Sequence, residues 1–473
     1  MAKKNMDFYN RKEELSVLRD RYFEIDETGK GVMIALYGRR RVGKTELIKQ
    51  LIKDIKEQKL YLYIDLAEKK VILNSLSRAI KEQLNEEIIF REFEDFFHYI
   101  IKKSEKGKFI LVLDEFQRFL EVAPEVITSL QKHWDDVLKN KKIMIVLVGS
   151  SIGMMQKITN SKAGALYGRA QKIKISPFKY KDFRLMFKKL NEEEKVLRYG
   201  VFGGTPYYLE KTKRFENTLD AIYELIIKKD SELSEEPKNL LEYENVRTHA
   251  KYNSILQSIS SGKEVLKEIQ DFTSMPVSNL PPYINRLVVL LDLIKRNDPI
   301  KGKERLGRYK ITDNFFRFWY KFVFENQSAL NMGARDHILN IIKKEINAYT
   351  GRVFEDIIKE LLIFYNGRKI KNIGINFEDI GSWWDRNNNE VDILAYNSRE
   401  KTFLLGEVKW TSEKMGVEVI EELARKAKLV NLSGKYQLLL ASKNGFTEKC
   451  IKKMKELNAL YLDLNDVAKL FDN

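Results

Sequence analysis

Residues 32–47 read VMIALYGRRRVGKTEL. The first six are apolar and long enough for one buried strand. Gly38-x-x-x-x-Gly43-Lys44-Thr45 follows, and beyond it Leu47, Ile48, Leu51 and Ile52 recur at helical spacing. Strand, glycine-bounded loop and helix in that order make a phosphate-binding loop. A polyphosphate has to be wrapped by backbone N–H groups, and glycine lets the chain curl that closely. In this reading Gly38 and Gly43 form the curl, Lys44 sets a point charge against the β- and γ-phosphates, and Thr45 offers a hydroxyl to Mg²⁺. The positive end of the following helix adds to the attraction.

Working outward, further apolar strands alternate with helical stretches, which predicts a mostly parallel sheet wound on both faces. Residues 110–115, ILVLDE, form a buried strand ending in two carboxylates at the edge where open α/β sheets bind ligands. There Asp114 is expected to hold Mg²⁺ through water and Glu115 to polarise an attacking water. Residues 143–150, IMIVLVGS, give another buried strand, with Ser150 at its tip as a γ-phosphate sensor or a helix cap. In LYGRA (166–170) Arg169 is placed either to reach a phosphate, its own or that of a neighbouring subunit in a homo-oligomer, or to be a plain surface arginine.

A chain of 473 residues is too long for one core. No apolar run reaches the ~18 residues of a membrane span, and MAKKNMDFYN lacks the apolar core of a signal peptide, so the chain reads as cytoplasmic. The lone Cys450 excludes an intramolecular disulfide and a cysteine-built zinc site. Net charge is +16, and residues 141–190 hold twelve Lys/Arg against the single acid Asp182; residues 301–310, KGKERLGRYK, add five bases against one acid. Such concentrations attract polyanions, so DNA is the expected partner.

The motifs GRRRVGKT, LVLDEFQ, LVGSS, LYGRA and Gly203-Gly204-Thr205-Pro206-Tyr207, in this order, resemble the archaeal-type P-loop ATPases of the signal-transducing STAND class. The resemblance covers roughly residues 6–325. It implies ATP as cofactor, Phe8 and Arg11 near the adenine, Ser150 as sensor, and Pro206 contacting nucleotide from a helical lid. It also implies a switch that changes shape with nucleotide state. On residues alone, 203–206 is a tight turn.

Further on, residues 250–259, 265–272 and 278–296 read as helices, and 293–296 with 308–312 as a β-ribbon around the basic stretch. Three helices and a ribbon look like a winged helix, which either contacts DNA or mediates domain contacts. The aromatic-rich stretch 311–324, ITDNFFRFWYKFVF, reads as a buried helix, with base stacking as the alternative.

From about residue 338 a last unit is expected. Asp392 lies in EVDILAY (390–396), and FLLGEVKW (403–410) follows a turn. Period-two geometry points Glu407 and Lys409 to one face and Val408 to the other. If these strands pair, Asp392 and Glu407 converge on one cation beside Lys409, with Glu355 on the preceding helix as a further acid. Two carboxylates for Mg²⁺ and a lysine against developing negative charge are the minimum for metal-assisted phosphodiester hydrolysis. Asp392, Glu407 and Lys409 resemble the PD-(D/E)xK nucleases, with Val391 in place of the motif's proline. The expected organisation is a P-loop NTPase core (1–180), a helical lid (181–240), a winged helix (241–330) and a restriction-endonuclease-like α/β domain (331–473). The expected function is an ATP-hydrolysing switch controlling a Mg²⁺-dependent DNA nuclease; the competing one is a non-catalytic regulator that binds DNA or protein.

Overall fold

Residues 8–160, 164–243, 249–302, 306–430 and 434–472 are described by the computed structural model. Lys162 of the first basic cluster and residues 303–305 of the second lie outside them. The chain divides into two compact units, Met1–Pro177 with Val289–Asp292, and Phe178–Val288 with Leu293–Asn473. The expected boundary at 180 falls next to this division, and those at 240 and 330 fall within the second unit.

The first unit runs α1 (Lys12–Thr28), β1 (Val32–Tyr37), α2 (Lys44–Lys53), β2 (Gln58–Tyr63), α3 (Lys69–Leu84), α4 (Phe93–Glu105), β3 (Phe109–Asp114), α5 (Phe119–Val122), α6 (Glu125–Asp136), β4 (Ile143–Gly149), α7 (Ile152–Thr159) and β5 (Gln171–Lys174). The five strands form one sheet in the order β2-β3-β4-β1-β5, every neighbour parallel. Both faces are covered, which is why these strands read apolar straight through. Met33, Leu111 and Ile145 enter the core on one face; Ile34, Val112 and Val146 enter the core on the other. β5, whose Lys172 and Lys174 point outward, has no apolar run to announce it.

The second unit opens with helices: α8 (Tyr180–Met186), α9 (Glu192–Phe202), α10 (Pro206–Thr212), α11 (Thr218–Ile222), α12 (Glu236–Tyr243), α13 (His249–Ser260), α14 (Leu266–Thr273) and α15 (Leu280–Asn285). A two-stranded antiparallel ribbon of β6 (Ile294–Asn297) and β7 (Arg308–Ile311) follows. The helix expected to reach 296 stops short: α15 continues only as a π-helical turn through Leu290, and Asp292, at φ 53°, turns the chain into β6. Then come α16 (Asn314–Phe318), a π-helical turn Trp319–Phe324, α17 (Gln327–Asn331) and α18 (Arg335–Phe364). Phe315, Phe316, Phe318, Trp319 and Tyr320 have no accessible surface, so they are core and not a stacking platform. At 30 residues α18 begins close to the expected start of the last unit near 338.

The rest is β8 (Arg368–Ile370), β9 (Ile373–Ile375), β10 (Asp379–Trp384), β11 (Glu390–Asn397), β12 (Thr402–Lys409), α19 (Val417–Leu429), β13 (Lys435–Ser442), α20 (Glu448–Glu456), β14 (Leu460–Asp463) and α21 (Leu464–Asp472). Strands β10-β11-β12-β13-β14 form a mixed sheet, antiparallel as far as β12 and parallel beyond it. Leu394, Leu405, Leu440, Ile420, Leu423 and Met454 build the core between this sheet and α19 and α20, and α18 packs against β10, β11 and β12. Among the described residues no helix is long and apolar enough to cross a membrane.

Candidate functional sites

In the first unit the loop between β1 and α2 closes as its sequence requires. Gly43 sits at φ 93°, and a Cβ on Gly38 would lie 2.2 Å from the Ile175 carbonyl oxygen, so neither position tolerates a side chain. Lys44 is 5% exposed; its Nζ donates to the carbonyls of Gly38 (2.8 Å) and Arg39 (2.9 Å), which folds it over the loop it opens. Thr45 Oγ1 donates to Asp114 Oδ2 at 3.1 Å, so the two predicted Mg²⁺ ligands stand together. A hydroxyl and a carboxylate are hard oxygen donors of the type Mg²⁺ takes.

The strand order brings the rest together. β4 lies between β1 and β3, so its tip separates the loop from the carboxylates. The Gly38 N–H donates to Gly149 O at 3.3 Å, and Ser150 Oγ donates to Glu115 Oε1. Gln117 Nε2 holds the other Glu115 oxygen at 2.6 Å. Glu115 has a left-handed backbone, φ 59°, an uncommon conformation for a side-chain-bearing residue and one that concentrates at functional sites. Tyr61, which sequence reasoning missed, donates its hydroxyl to Asp114 Oδ2; burial and the neighbouring Asp114 charge hold this phenol above its usual range, so it remains a donor. Nothing in the β2 sequence distinguishes it from any other tyrosine.

The resemblance-derived residues fall variously. Arg11, buried at the start of α1, donates to Val42 O (3.2 Å) in the phosphate loop and to Ser176 O (2.5 Å); Phe8 is exposed. Arg169 is clamped to Asp135 by three contacts of 2.6–3.0 Å. Pro206 is in the second unit, at the first position of α10, after a turn in which a Gly204 Cβ would lie 1.9 Å from Phe178 O.

The second unit gathers the other set. β11 and β12 pair with Ile393 opposite Gly406, which sets Asp392 level with Glu407. Asp392 Oδ2 accepts from Val408 N at 2.9 Å, and Lys409 Nζ donates to Glu407 Oε1 at 2.6 Å. Lys426 on α19, without any signal in the sequence, holds the other Glu407 oxygen at 3.2 Å. Lys359 on α18 donates to Ser382 Oγ at 2.8 Å, and that hydroxyl to the Asp392 carbonyl at 2.8 Å.

Burial, reinforced by the Glu407 charge, pushes Asp392 up to about 6; burial and Asp392 push Glu355 up to about 7. Desolvation opposes the Lys409 charge, but Glu407, Asp392 and Glu355 outweigh it and raise the ammonium above its ordinary range. The basin therefore carries negative charge that protons or a cation would relieve, and its donors are hard oxygens. Among the described residues no three His, Cys, Asp or Glu side chains are grouped to hold an ion. Glu355 shares the basin without joining a chelating triad, and Glu407 is turned onto two lysines.

Several charges of the first basic cluster are already paired: Lys141 with Glu105 (2.9 Å), Lys174 with Asp292 (2.7 Å), Arg169 with Asp135, and buried Arg184 with Glu192 and Asp472 (both 3.0 Å).

A five-stranded parallel sheet, a glycine-bounded loop with Lys44 and Thr45, and Asp114 beside them define a P-loop ATPase. Residues 8–212 match the family described as an ATPase domain predominantly from Archaea, and residues 319–421 match one described as archaeal and bacterial proteins of unknown function. An uncharacterized protein of Methanocaldococcus jannaschii is 33% identical over 469 residues, 98% of this chain and 100% of that protein, and the chain belongs to its family. An uncharacterized ATP-binding protein of the same organism is 25% identical over 259 residues, 43% of this chain and 68% of its own. The Walker-type ATPase of Pyrococcus abyssi is 19% identical at a TM-score of 0.51, covering 66% of this chain and 96% of its own, a likeness of fold.

Proposed function

We propose that this P-loop ATPase is a STAND-type switch whose nucleotide state controls a Mg²⁺-dependent DNA nuclease in its second unit. In this reading residues 1–180 are the ATPase core, 181–240 the lid, 241–330 a winged helix and 331–473 a PD-(D/E)xK nuclease-like domain. The observation that carries it is the meeting of Asp392, Glu407 and Lys409 at one end of β11 and β12, with Glu355 beside them.

For the nucleotide, Lys44 and the loop amides would take the phosphates, Thr45 and Asp114 the accompanying Mg²⁺, Arg11 and Phe8 the adenine side, and Pro206 a lid contact. Ser150 would sense the γ-phosphate through the carboxylate it holds, Glu115, which would orient water. Arg169 would leave Asp135 to reach a phosphate within its own chain or across a homo-oligomer. For the phosphodiester, Asp392 and Glu407 would hold Mg²⁺, whose Lewis acidity polarises the phosphoryl group. Lys409 sets positive charge against the negative charge that develops on it.

The test is nicking of supercoiled plasmid with Mg²⁺ or Mn²⁺. Wild type should cut, Glu407→Ala should not, and Lys44→Ala should cut without responding to ATP. Cutting that ignores Lys44 at every nucleotide concentration would remove the coupling. A non-catalytic DNA- or protein-binding regulator is the second reading, favoured by the two lysines that occupy Glu407; intact duplex binding with no cleavage would decide for it.

A further inference from the structure

Beside the Glu355–Asp392 basin is a cavity of about 80 Å³ lined by Lys295, Lys310, Arg317, Arg352, Glu264 and Asp356. It lies wholly within the second unit, between the ribbon, α16 and α18. Three features of its walls do not serve folding. Lys295 and Lys310 are directly opposed across the β6–β7 pair, where like charges destabilise a ribbon. Neither lysine donates a hydrogen bond to another described residue. Arg317 is tied to Tyr349 through Nε (3.3 Å), while its Nη2 is buried without a partner, an uncommon and costly condition for a guanidinium nitrogen.

Arg352 is already paired with Glu264 at 2.5 Å. The remaining lining therefore sets three cations, Lys295, Lys310 and Arg317, against Asp356, with Glu355 also close enough to act on Lys310 and Arg317. The cleft opens to solvent at Lys295, Arg352 and Asp356, and it has room for one tetrahedral oxyanion. A planar guanidinium with two ammonium groups is a donor set for phosphate. Asp356 and Arg352 flank Glu355 on α18, which sets the cavity next to the carboxylates along one helix.

We propose that this cavity is a phosphate subsite that seats one phosphoryl group of a nucleic-acid strand, fixing the strand against the neighbouring carboxylates. The choice of a strand as carrier rests on the nuclease reading; the oxyanion chemistry does not.

The test uses the full chain carrying Asp392→Asn, in EDTA, with a short fluorescent duplex as probe and inorganic phosphate as competitor. Adding Lys295→Met and Lys310→Met should weaken duplex binding at least about tenfold and lower the log–log salt slope by close to one, the share of the single phosphate seated there. Lys295→Arg with Lys310→Arg, which keeps the charges, should restore both, and phosphate should compete with the parent but not with the Met variant. Unchanged affinity and slope would overturn the subsite. Phosphate binding that depends on the lysines while duplex binding does not would overturn the assignment to a strand and leave a free phosphate compound as ligand. The two readings fail separately. If wild type never nicks DNA but the lysine effect holds, the nuclease falls and the subsite stands; if nicking is present and the Met variant binds normally, the subsite alone falls.

Discussion

Replacing Asp392 by asparagine should stabilise the protein once the pH is high enough to ionise the carboxyl group, and leave it unchanged in acid. The carboxylate is pushed from an ordinary 3.8 up to about 6 by burial and by Glu407. A folded-state value above the unfolded one means that protonation favours the fold. This contribution is complete below about pH 4 and is lost as pH rises through about 6. The rise is worth about 3 kcal/mol where the group is fully charged. Asp392 is partly open to water on the basin side, so about half of that, on the order of 1.5 kcal/mol, is expected. Asparagine keeps an acceptor for the Val408 N–H and carries no charge. Calorimetry of the full chain in EDTA at pH 8 should show the second unit of Asp392→Asn melting about 2–3 °C above wild type, since the shift per kcal/mol shrinks with the size of the unit. At pH 3, below the ordinary 3.8, most of the difference should be gone. A variant destabilised equally at both pH values would refute the reasoning, since the carboxylate would then be a net contributor to the fold.

Three further outcomes are expected. Lys44→Ala removes the ammonium above the Gly38 and Arg39 carbonyls and should weaken a fluorescent ATP analogue about 10–100-fold, the range of one charge-assisted contact; unchanged affinity would place the nucleotide elsewhere. Gly38→Ala drives a Cβ to 2.2 Å from Ile175 O, which backbone cannot yield to, and should cost at least about 3 kcal/mol in a thermal melt, whereas a near-native melt would contradict the packing. Exchanging charges with Arg169→Asp and Asp135→Arg preserves the ion pair and should leave the melting point nearly unchanged. ATP turnover should nevertheless fall about 10³-fold if the guanidinium reaches a phosphate; unchanged turnover would assign Arg169 to structure alone.

The phosphate loop was legible in the sequence because its requirements are local. Gly38, Gly43, Lys44 and Thr45 lie within one turn of chain, and strand and helix flank them in order. β11 and β12 were legible for the same reason, through a short turn that fixes which residues face each other. What could not be read depends on distant pairings. No spacing reveals that β4 separates β1 from β3, or that Tyr61 on β2 reaches Asp114. Lys426 comes to Glu407 through the packing of α19, and Lys359 to Ser382 through that of α18. β5 gives no signal because an edge strand with outward lysines has no apolar run. The helix before the ribbon is shorter than its sequence pattern because Leu287, Val288 and Leu290 sustain a helical spacing that the left-handed turn at Asp292 ends.

The placement of β4 has a mechanical consequence. Its consecutive tip residues, Gly149 and Ser150, are tethered to opposite sides: the first to Gly38 of the loop, the second to Glu115 beyond β3. A small tilt of that strand end carries both tethers with it. If Glu115 orients water as proposed, a substitution at this two-residue strut should alter nucleotide affinity and turnover together.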